Sequence, residues 1–282
     1  MGSKSASSRA RFPVPREFVH AFQTPDQPRI EELLSRWRLY LSDLPKRNLT
    51  ASGYFILTGF ETALDSGHII LASLSEALGT LLPQDADGTL IREVRDRGMQ
   101  MTGGGRYSDS RHGGSFHTDG PQAAFPAPEY FALLCVRQAP VGGDLILIRV
   151  EDVLRHLDRQ QLDVLGGTFY FDRRAGIVQP PVAHPIVTGP DGDRVMRYLR
   201  EYITLGHAYP GIPGLTSDQT DALDALDAVL NREDLQVKDR LLPGELVVVN
   251  NLTMCHGRTE FQDGASRDGR LMLRTWIRAD ID

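Results

Sequence analysis

Two short histidine motifs, far apart in the chain, contain residue types that bind metal ions. The first is His117-Thr118-Asp119, and the second is His256 within the stretch Met254–Arg258. Two imidazoles and one carboxylate form the 2-His-1-carboxylate facial triad, which covers one face of a ferrous ion and leaves the other face open. Residues i and i+2 of a strand share a face, so His117 and Asp119 should point the same way. The sequence therefore predicts a metal site formed by His117, Asp119 and His256.

Two arginines follow the second motif. Arg270 lies 14 residues after His256, and Arg274 lies four residues further on. Residues i and i+4 of a strand point to the same face, so both guanidiniums should face one way while Leu271 and Leu273 face the other. A guanidinium presents a planar fork that binds a carboxylate through two hydrogen bonds. A metal triad followed by an inward-facing arginine suggests iron together with a dicarboxylate.

At these residues the chain resembles the taurine dioxygenase-like superfamily of Fe(II)/2-oxoglutarate oxygenases, including its clavaminate synthase branch. The matching pieces occur in the family's order: His117-Thr118-Asp119, Gly142-Gly143-Asp144, Cys255–Phe261, and Arg270 with Arg274. The resemblance implies that His117, Asp119 and His256 bind Fe(II). It also implies that Arg270 binds the distal carboxylate of 2-oxoglutarate and that O2 is the other co-substrate.

The substrate contacts are expected around the same site. Arg274 matches a position that often touches substrate in this family, and Arg106 and His112 are further candidates. A buried cation needs an anionic or strongly polar partner, so Arg274 is expected either to bind a carboxylate or carbonyl group of the substrate or to form a salt bridge inside the barrel. For the salt bridge, the candidate carboxylates are those of Asp109 and Glu260.

The resemblance has one departure, next to the expected 2-oxoglutarate site. Relatives often carry a threonine just after the first Gly-Gly pair, and this threonine shares the distal carboxylate with the arginine. In this chain the residue is Leu145. The residue that supplies the second contact to 2-oxoglutarate is therefore open.

Composition excludes several classes of protein. The net charge of −6 gives no basic surface for nucleic acid. No apolar run reaches the 18 residues of a transmembrane helix, and Met1–Ser8 lacks the apolar region of a signal peptide, so we expect a cytoplasmic enzyme with no membrane partner. Cys135 and Cys255 are expected to be buried free thiols. Of the 31 basic residues, all but three are arginine, which indicates a GC-rich bacterial genome.

Hydrophobic periodicity predicts the elements that must position these residues. Helices are predicted over 29–44, 65–82 and 217–231, the first two on the outside of a sheet. Strands are predicted over 53–60, 129–137, 144–150, 167–173, 182–188, 194–204, 245–250 and 270–277. Many short strands separated by Gly and Pro turns favour a mainly β fold with flanking helices, and a double-stranded β-helix (jelly roll) core suits the metal chemistry.

The domain organisation is expected to be simple. Residues 1–12 should be a disordered end or an expression remnant, and 13–282 a single oxygenase domain. Its helical part, 13–97, should pack on the jelly-roll core, with a helical insertion at about 206–235. The glycine-rich stretch Thr102–Gly114 is expected to act as a mobile lid that leads into the first ligands.

The function expected from these features is that of an Fe(II)/2-oxoglutarate-dependent oxygenase. Its substrate should be a small amino-acid-derived metabolite of bacterial secondary metabolism such as antibiotic biosynthesis, and the outcome hydroxylation, desaturation or ring closure. Two alternatives stay open: a non-oxidative metal enzyme such as a zinc hydrolase or isomerase on a cupin-like barrel, and a catalytically inactive binding protein. Arg270 discriminates against the hydrolase, which has no need for a buried carboxylate clamp beside its metal.

Overall fold

Strands and helices alternate along the chain in a mixed arrangement with several antiparallel sheets. The structure is a computed structural model, and it describes residues 10–23, 30–41, 44–99, 106–123, 127–173, 179–264 and 269–279. The strands are β1 (Arg11–Pro13), β2 (Tyr54–Thr58), β3 (Gly79–Leu82), β4 (Ile91–Val94), β5 (Gly114–His117), β6 (Tyr130–Arg137), β7 (Val141–Gly142), β8 (Leu145–Arg149), β9 (Phe169–Phe171), β10 (Val182–His184), β11 (Val187–Thr188), β12 (Val195–Met196), β13 (Val237–Asp239), β14 (Leu246–Asn250), β15 (Met254–Arg258), β16 (Phe261–Gln262) and β17 (Leu271–Ala279). The α-helices are α1 (Arg16–Gln23), α2 (Ile30–Leu41), α3 (Leu44–Ala51), α4 (Gly67–Leu78), α5 (Val150–Leu154), α6 (Arg159–Leu165), α7 (Arg200–His207) and α8 (Ser217–Leu230).

Two larger sheets carry the residues of interest. The first has seven strands in the order β1-β2-β14-β6-β17-β3, with β4 also paired to β17. Its pairs are antiparallel except β1 with β2, which run parallel. The second has four strands in the order β13-β8-β15-β5 and is antiparallel throughout. His117 is the last residue of β5, Asp119 follows β5 by two residues, and His256 lies in β15. The four-stranded sheet therefore carries the three candidate metal ligands.

The alternation of side chains along β14 separates two apolar cores. Leu246 and Val248 pack with α2 and α4 on the outer face of the seven-stranded sheet. Val247 and Val249 point to the opposite face and pack with residues of the four-stranded sheet, such as Leu147. A strand places successive side chains on opposite faces, so one strand serves both cores. The inner core, between the two sheets, is the one that borders the candidate site.

A third core covers the outer face of the four-stranded sheet. Ile146, Ile148 and Cys255 of this sheet pack there against Leu223 and Leu226 of α8. Each sheet is therefore buried on both faces, which explains why β8 and β14 read as nearly continuous apolar runs. This double burial holds the strands that carry the candidate ligands.

Most of the predicted elements are confirmed. Helices are present at 30–41, 67–78 and 217–230, and the first two pack on the outer face of the seven-stranded sheet. The strands predicted over 53–60, 129–137, 144–150, 245–250 and 270–277 are present with ends shifted by a few residues, and those over 167–173 and 182–188 are shorter and interrupted. Cys135 and Cys255 are buried and free, as predicted.

Three predictions about the elements are wrong. The strand predicted over 194–204 is only the two-residue β12, and the helix α7 follows it. The helix predicted to reach residue 82 ends at Leu78, because Gly79 adopts φ +157 and the chain continues as β3. The boundary predicted at residue 12 is too late, because β1 begins at Arg11; residues 1–9 lie outside the described part.

Arg11 joins β1 to two buried carboxylates. Its guanidinium donates to Asp239 at 2.7 and 2.8 Å and to Glu245 at 3.1 Å. Both carboxylates are almost fully buried, so the arginine compensates two charges that would otherwise be unpaired.

Among the described residues, no helix is both long enough and apolar enough to cross a membrane.

Candidate active site

The pairing of β5 with β15 brings the two histidines together. His117 lies directly opposite His256, and the register then shifts by one residue, so that Arg258 lies opposite Gly114. The extra residue on β5 makes a β-bulge, and Ser115 there has φ +52, a left-handed conformation that is uncommon for serine. Bulges of this kind turn a side chain to a new direction. The two imidazole rings lie with their centroids 4.3 Å apart.

The bulge also fixes the orientation of the first imidazole. His117 Nδ1 lies 2.7 Å from the carbonyl oxygen of Ser115, and Nδ1 must donate because a carbonyl only accepts. The neutral ring then keeps its lone pair on Nε2, which faces Asp119. Burial lowers the pKa of His117, and burial together with the neighbouring His117 lowers that of His256 to about 3. Both rings are therefore neutral near pH 7, the form that binds metals.

Asn251 holds the carboxylate ligand by its backbone. The Asp119 amide donates to Asn251 Oδ1 at 2.6 Å, and Asn251 Nδ2 donates to the carbonyl oxygens of Asp119 at 2.9 Å and of Pro128 at 2.8 Å. On the other side, Thr118 donates its amide to the carbonyl of Tyr198 and accepts the Tyr198 amide on its hydroxyl. The ligand segment is thus clamped from both sides. Sequence reasoning assigned no role to Asn251, although it precedes His256 by five residues.

The three predicted ligands meet at one point. Ligand atoms of His117, Asp119 and His256 lie within 4.8 Å of one another, and all three residues are buried. His256 Nε2 is 3.9 Å from Asp119 Oδ2, and His117 Nε2 is 4.0 Å from Asp119 Oδ1. Asp119 Oδ2 is buried and has no hydrogen-bond partner. A buried carboxylate oxygen without a donor, facing two neutral imidazoles, fits a divalent metal ion.

The partner of Arg274 is the candidate ligand Asp119. Arg274 Nη1 donates to Asp119 Oδ1 at 2.7 Å, and Nε donates to Gln84 Oε1 at 2.9 Å. Burial alone would raise the pKa of Asp119, but the charge of Arg274 together with smaller effects of the neighbouring groups outweighs burial, and the pKa is lowered. The salt bridge that was one of the two expectations for Arg274 is therefore present, but neither suggested partner forms it: Asp109 instead binds Arg92 at 2.6 Å and Arg97 at 3.1 Å, and Glu260 forms no ion pair among the described residues.

Arg270 is buried with one free donor. Its Nε donates to Gln138 Oε1 at 3.1 Å, and its Nη2 lies 3.4 Å from the carbonyl oxygen of Gly143. Nη1 is buried without a partner, and burial together with the charge of Arg258 lowers the pKa of Arg270 to about 10. A buried guanidinium that lacks a counter-charge fits a carboxylate ligand.

Gly143 makes room for this arginine. A Cβ on Gly143 would lie 2.9 Å from both Arg270 Nε and Gln138 Oε1, and the backbone there has φ +78. Leu145, at the position where relatives carry a threonine, lies on the wall of the same cavity and offers no polar side-chain atom. The polar contacts of the Arg270 guanidinium among the described residues are therefore Gln138 and the Gly143 carbonyl.

Arg258 ties the segment before the first ligand to β15. Its Nη2 donates to the carbonyl oxygens of Tyr107 at 3.2 Å and His112 at 3.2 Å, and to that of Ser110. Its guanidinium lies 4.4 Å from the centroid of the Tyr107 ring. One buried cation thus organises the turn from 107 to 112. The sequence motif contained Arg258, but sequence reasoning gave it no role.

One cavity between the two sheets joins these groups. Its wall includes the three ligand candidates together with Arg258, Arg270 and Arg274. Of the other substrate-contact candidates, Arg106 lines this cavity, whereas His112 does not and contributes its backbone carbonyl to Arg258. The predicted lid falls partly on residues 100–105, which lie outside the described part.

A family model described as "Taurine catabolism dioxygenase TauD, TfdA family" matches residues 46–276. A curated relative, FR-33289 synthase of Streptomyces rubellomurinus (strain ATCC 31215), is 25% identical over 246 residues, which is 81% of this chain and 69% of that protein.

Solved structures share the fold. Asparagine oxygenase in complex with Fe(II), 2S,3S-3-hydroxyasparagine and succinate superposes with a TM-score of 0.77 at 21% identity, covering 95% of this chain and 93% of that one. The non-heme iron oxygenase OrfP in complex with Fe, succinate and (3S)-hydroxy-L-Arg superposes with a TM-score of 0.69 at 16% identity, covering 96% and 94% of the two chains.

Proposed function

Since the chain belongs to the TauD/TfdA family of Fe(II)- and 2-oxoglutarate-dependent dioxygenases, we propose that His117, Asp119 and His256 hold its iron and that Arg270 holds its 2-oxoglutarate. The enzyme is an oxidoreductase that acts on a small molecule. The observation that carries the residue assignment is the meeting of three buried donors beside an arginine with an unpaired Nη1. The expectations of a zinc hydrolase and of an inactive binding protein are set aside by family membership and the complete donor set.

When bound here, Fe(II) and 2-oxoglutarate would allow O2 to oxidise a C–H bond of the substrate, with release of succinate and CO2. The chain prepares the donor atoms for this. Ser115 keeps the proton of His117 on Nδ1, so Nε2 is available, and Asn251 fixes the backbone of Asp119. Arg274 occupies Oδ1 of Asp119 and leaves Oδ2 free for the metal. Groups that orient ligands in this way commonly affect metal affinity by 10–100-fold.

Arg270 would hold the distal carboxylate of 2-oxoglutarate with its orientation already set. Gln138 and the Gly143 carbonyl fix the guanidinium, and the ring of Phe261 lies 5.2 Å from it. A donor group held in place before binding loses little conformational entropy when the ligand arrives. Since Leu145 offers no hydrogen bond, the binding energy of this carboxylate would depend more on Arg270 than it does where a threonine shares the contact.

The substrate would be a small amino-acid-derived acid, contacted by Arg274 and Arg106. Both line the cavity that contains the proposed iron ligands. Asparagine oxygenase and OrfP carry hydroxylated amino acids in their solved complexes, which supports this class and hydroxylation as the outcome. The relative named FR-33289 synthase supports a place in bacterial secondary metabolism. His112 was a third candidate contact, and its side chain is not on the cavity wall.

We further infer a double-stranded β-helix core within one oxygenase domain, residues 13–282. The four-stranded and seven-stranded sheets face each other across an apolar core, and the consecutive strands β14 and β15 lie in different sheets, as a strand winding between two sheets requires. In this arrangement the helices of 13–97 lie on the outside, and α8 forms most of the insertion at about 206–235.

Metal and co-substrate binding test the assignment directly. Under nitrogen, Fe(II) and 2-oxoglutarate should produce a visible charge-transfer absorption with the intact protein and none with His256→Ala or Asp119→Ala. The control is His156→Ala, which removes an exposed histidine. Circular dichroism should show that each variant is folded. An unchanged absorption in His256→Ala would contradict the assignment.

A further inference from the structure

The wall of the active-site cavity carries far more positive than negative charge. Four arginines line it, Arg106, Arg258, Arg270 and Arg274, and Asp119 is the only carboxylate among the described lining residues. The whole chain has the opposite balance, with a net charge of −6. The cavity therefore differs in the sign of its charge from the chain as a whole. We expect the molecules that bind in the cavity to carry negative charge that balances these arginines.

Iron and 2-oxoglutarate do not remove this excess. The ferrous ion, the carboxylate of Asp119, the 2-oxoglutarate dianion and the guanidinium of Arg270 together carry no net charge. Arg106, Arg258 and Arg274 then remain. Arg258 is already occupied by backbone carbonyls, and Arg274 uses Nη1 for Asp119 and Nε for Gln84, so it would meet a substrate through Nη2. Arg106 forms no ion pair with any residue that the structure describes. The substrate should therefore bring negative charge to the region of Arg106 and Arg274.

Among the residues that the structure describes, no carboxylate other than that of Asp119 lines the cavity to receive a cation of the substrate. Asp85 and Asp109, the acids nearest the Arg106 side of the cavity, are paired with Arg92 at 3.3 and 2.6 Å. Three stretches outside the described residues adjoin lining residues in sequence: 100–105 and 124–126 contain neither Asp nor Glu, and 265–268, before Arg270, contains Asp268. An ammonium group that entered this cavity would lose its hydration and lie near positively charged arginines. It would gain no ion pair with a carboxylate to offset that cost.

Gln122 indicates that the substrate carries an uncharged hydrogen-bond donor instead of an ammonium group. It lines the cavity, and its Oε1 is buried without a hydrogen-bond partner. A buried unpaired acceptor costs free energy unless a ligand supplies a donor. An amide N–H supplies one without adding positive charge near the arginines. A carboxylate at Arg106 and Arg274, with an amide N–H at Gln122, satisfies the charge and the hydrogen bond together.

We propose that the substrate is an amino-acid-derived acid whose nitrogen is acylated, and that free amino acids are excluded. This inference rests on the proposed function and concerns the same cavity. It separates this chain from asparagine oxygenase and OrfP, whose solved complexes hold hydroxylated amino acids. Arg106 and Arg274 select the carboxylate, and Gln122 together with the absence of a carboxylate for an ammonium selects the uncharged nitrogen.

The test compares matched pairs of ligands. Protein loaded with Fe(II) and 2-oxoglutarate under nitrogen is titrated by calorimetry with L-amino acids and with their Nα-acetyl derivatives. We expect acetylated members to bind with dissociation constants below ~1 mM, and each to bind at least ~10-fold more tightly than its free partner, a difference of about 1.4 kcal/mol. The proposal is overturned if a free amino acid binds as tightly as its acetylated form, or if no acetylated member binds.

A charge variant tests the role of Gln122. Gln122→Glu places a carboxylate where an ammonium would need one. The variant should therefore bind acetylated amino acids more weakly and free amino acids more tightly, so the preference for acetylated ligands should become smaller or reverse. Gln262→Glu, an exposed position, is the matched control and should leave the preference unchanged. If the preference is unaltered in Gln122→Glu, the role of this residue is refuted. The charge-transfer absorption in the same samples reports on the proposed function separately, since its loss would show that iron and 2-oxoglutarate do not bind.

Discussion

Replacing Arg270 by methionine should stabilise the metal-free protein while weakening the binding of 2-oxoglutarate. The guanidinium is buried, and its Nη1 has no partner until a carboxylate arrives. Burial and the charge of Arg258 lower the pKa of Arg270 from its usual value to about 10. At about 1.4 kcal/mol for each pKa unit, the protonated side chain costs the folded protein up to ~3 kcal/mol.

The expected gain in stability is smaller than this cost. Hydrogen bonds to Gln138 and Gly143 and the contact with Phe261 would be lost in the variant, so we expect the free energy of unfolding to rise by roughly 1–2 kcal/mol. Gln138 Oε1 keeps a donor, because the Ala139 amide also donates to it at 2.9 Å. Methionine fills a similar volume without a charge, so no large cavity is created.

Two measurements check the prediction. Urea unfolding of the metal-free protein gives the free energy of unfolding, and steady-state kinetics give the KM for 2-oxoglutarate, which should rise at least ~10-fold. Arg278→Met, an exposed arginine of the same strand, is the control and should change neither quantity. Arg270→Lys should restore binding poorly, since lysine lacks the planar fork. A variant that gains no stability, or that retains its KM, would refute the reasoning.

Three other changes have defined outcomes. Asn251→Ala removes the hydrogen bonds that hold the backbone of Asp119, so metal affinity measured by titration should fall at least ~10-fold; an unchanged affinity would contradict that role. Gly143→Ala places a Cβ 2.9 Å from Arg270 Nε at φ +78, so it should raise the KM for 2-oxoglutarate and lower the melting temperature. Burial raises the pKa of Cys135 to about 12, so the unfolded chain loses this thiol proton first as the pH rises. Stability should then fall above about pH 9 by up to ~1.4 kcal/mol per pH unit, a slope that urea unfolding should show to be smaller in Cys135→Ala.

The errors in the predicted elements have a common cause. In 194–204 the apolar residues fit a short strand at Val195 and Met196 and a helix at Leu199, Tyr202 and Ile203, and a run of this length does not decide between them. The residues from Gly79 to Leu82 continue the apolar pattern of α4, but they pair with β17 instead. Tertiary contacts determined the structure of both stretches, and the local hydrophobic periodicity does not predict such contacts.

The sequence by itself determined the chemistry of the site. The types and order of His117, Asp119 and His256, and the spacing that puts Arg270 and Arg274 on one face of a strand, follow from local rules that hold in any strand. Those rules are short in range, and they were sufficient to predict a metal and a dicarboxylate.

Only the tertiary structure decided which side chains meet across the cavity. Arg274 pairs with Asp119, which is 155 positions away in the chain, and Asn251 holds Asp119 from 132 positions away. Gln122 is left without a partner for its buried oxygen, a fact that no local pattern contains. Such contacts depend on how two sheets face each other and on distances of a few ångströms, because hydrogen bonds and ion pairs between buried groups weaken steeply as those distances grow.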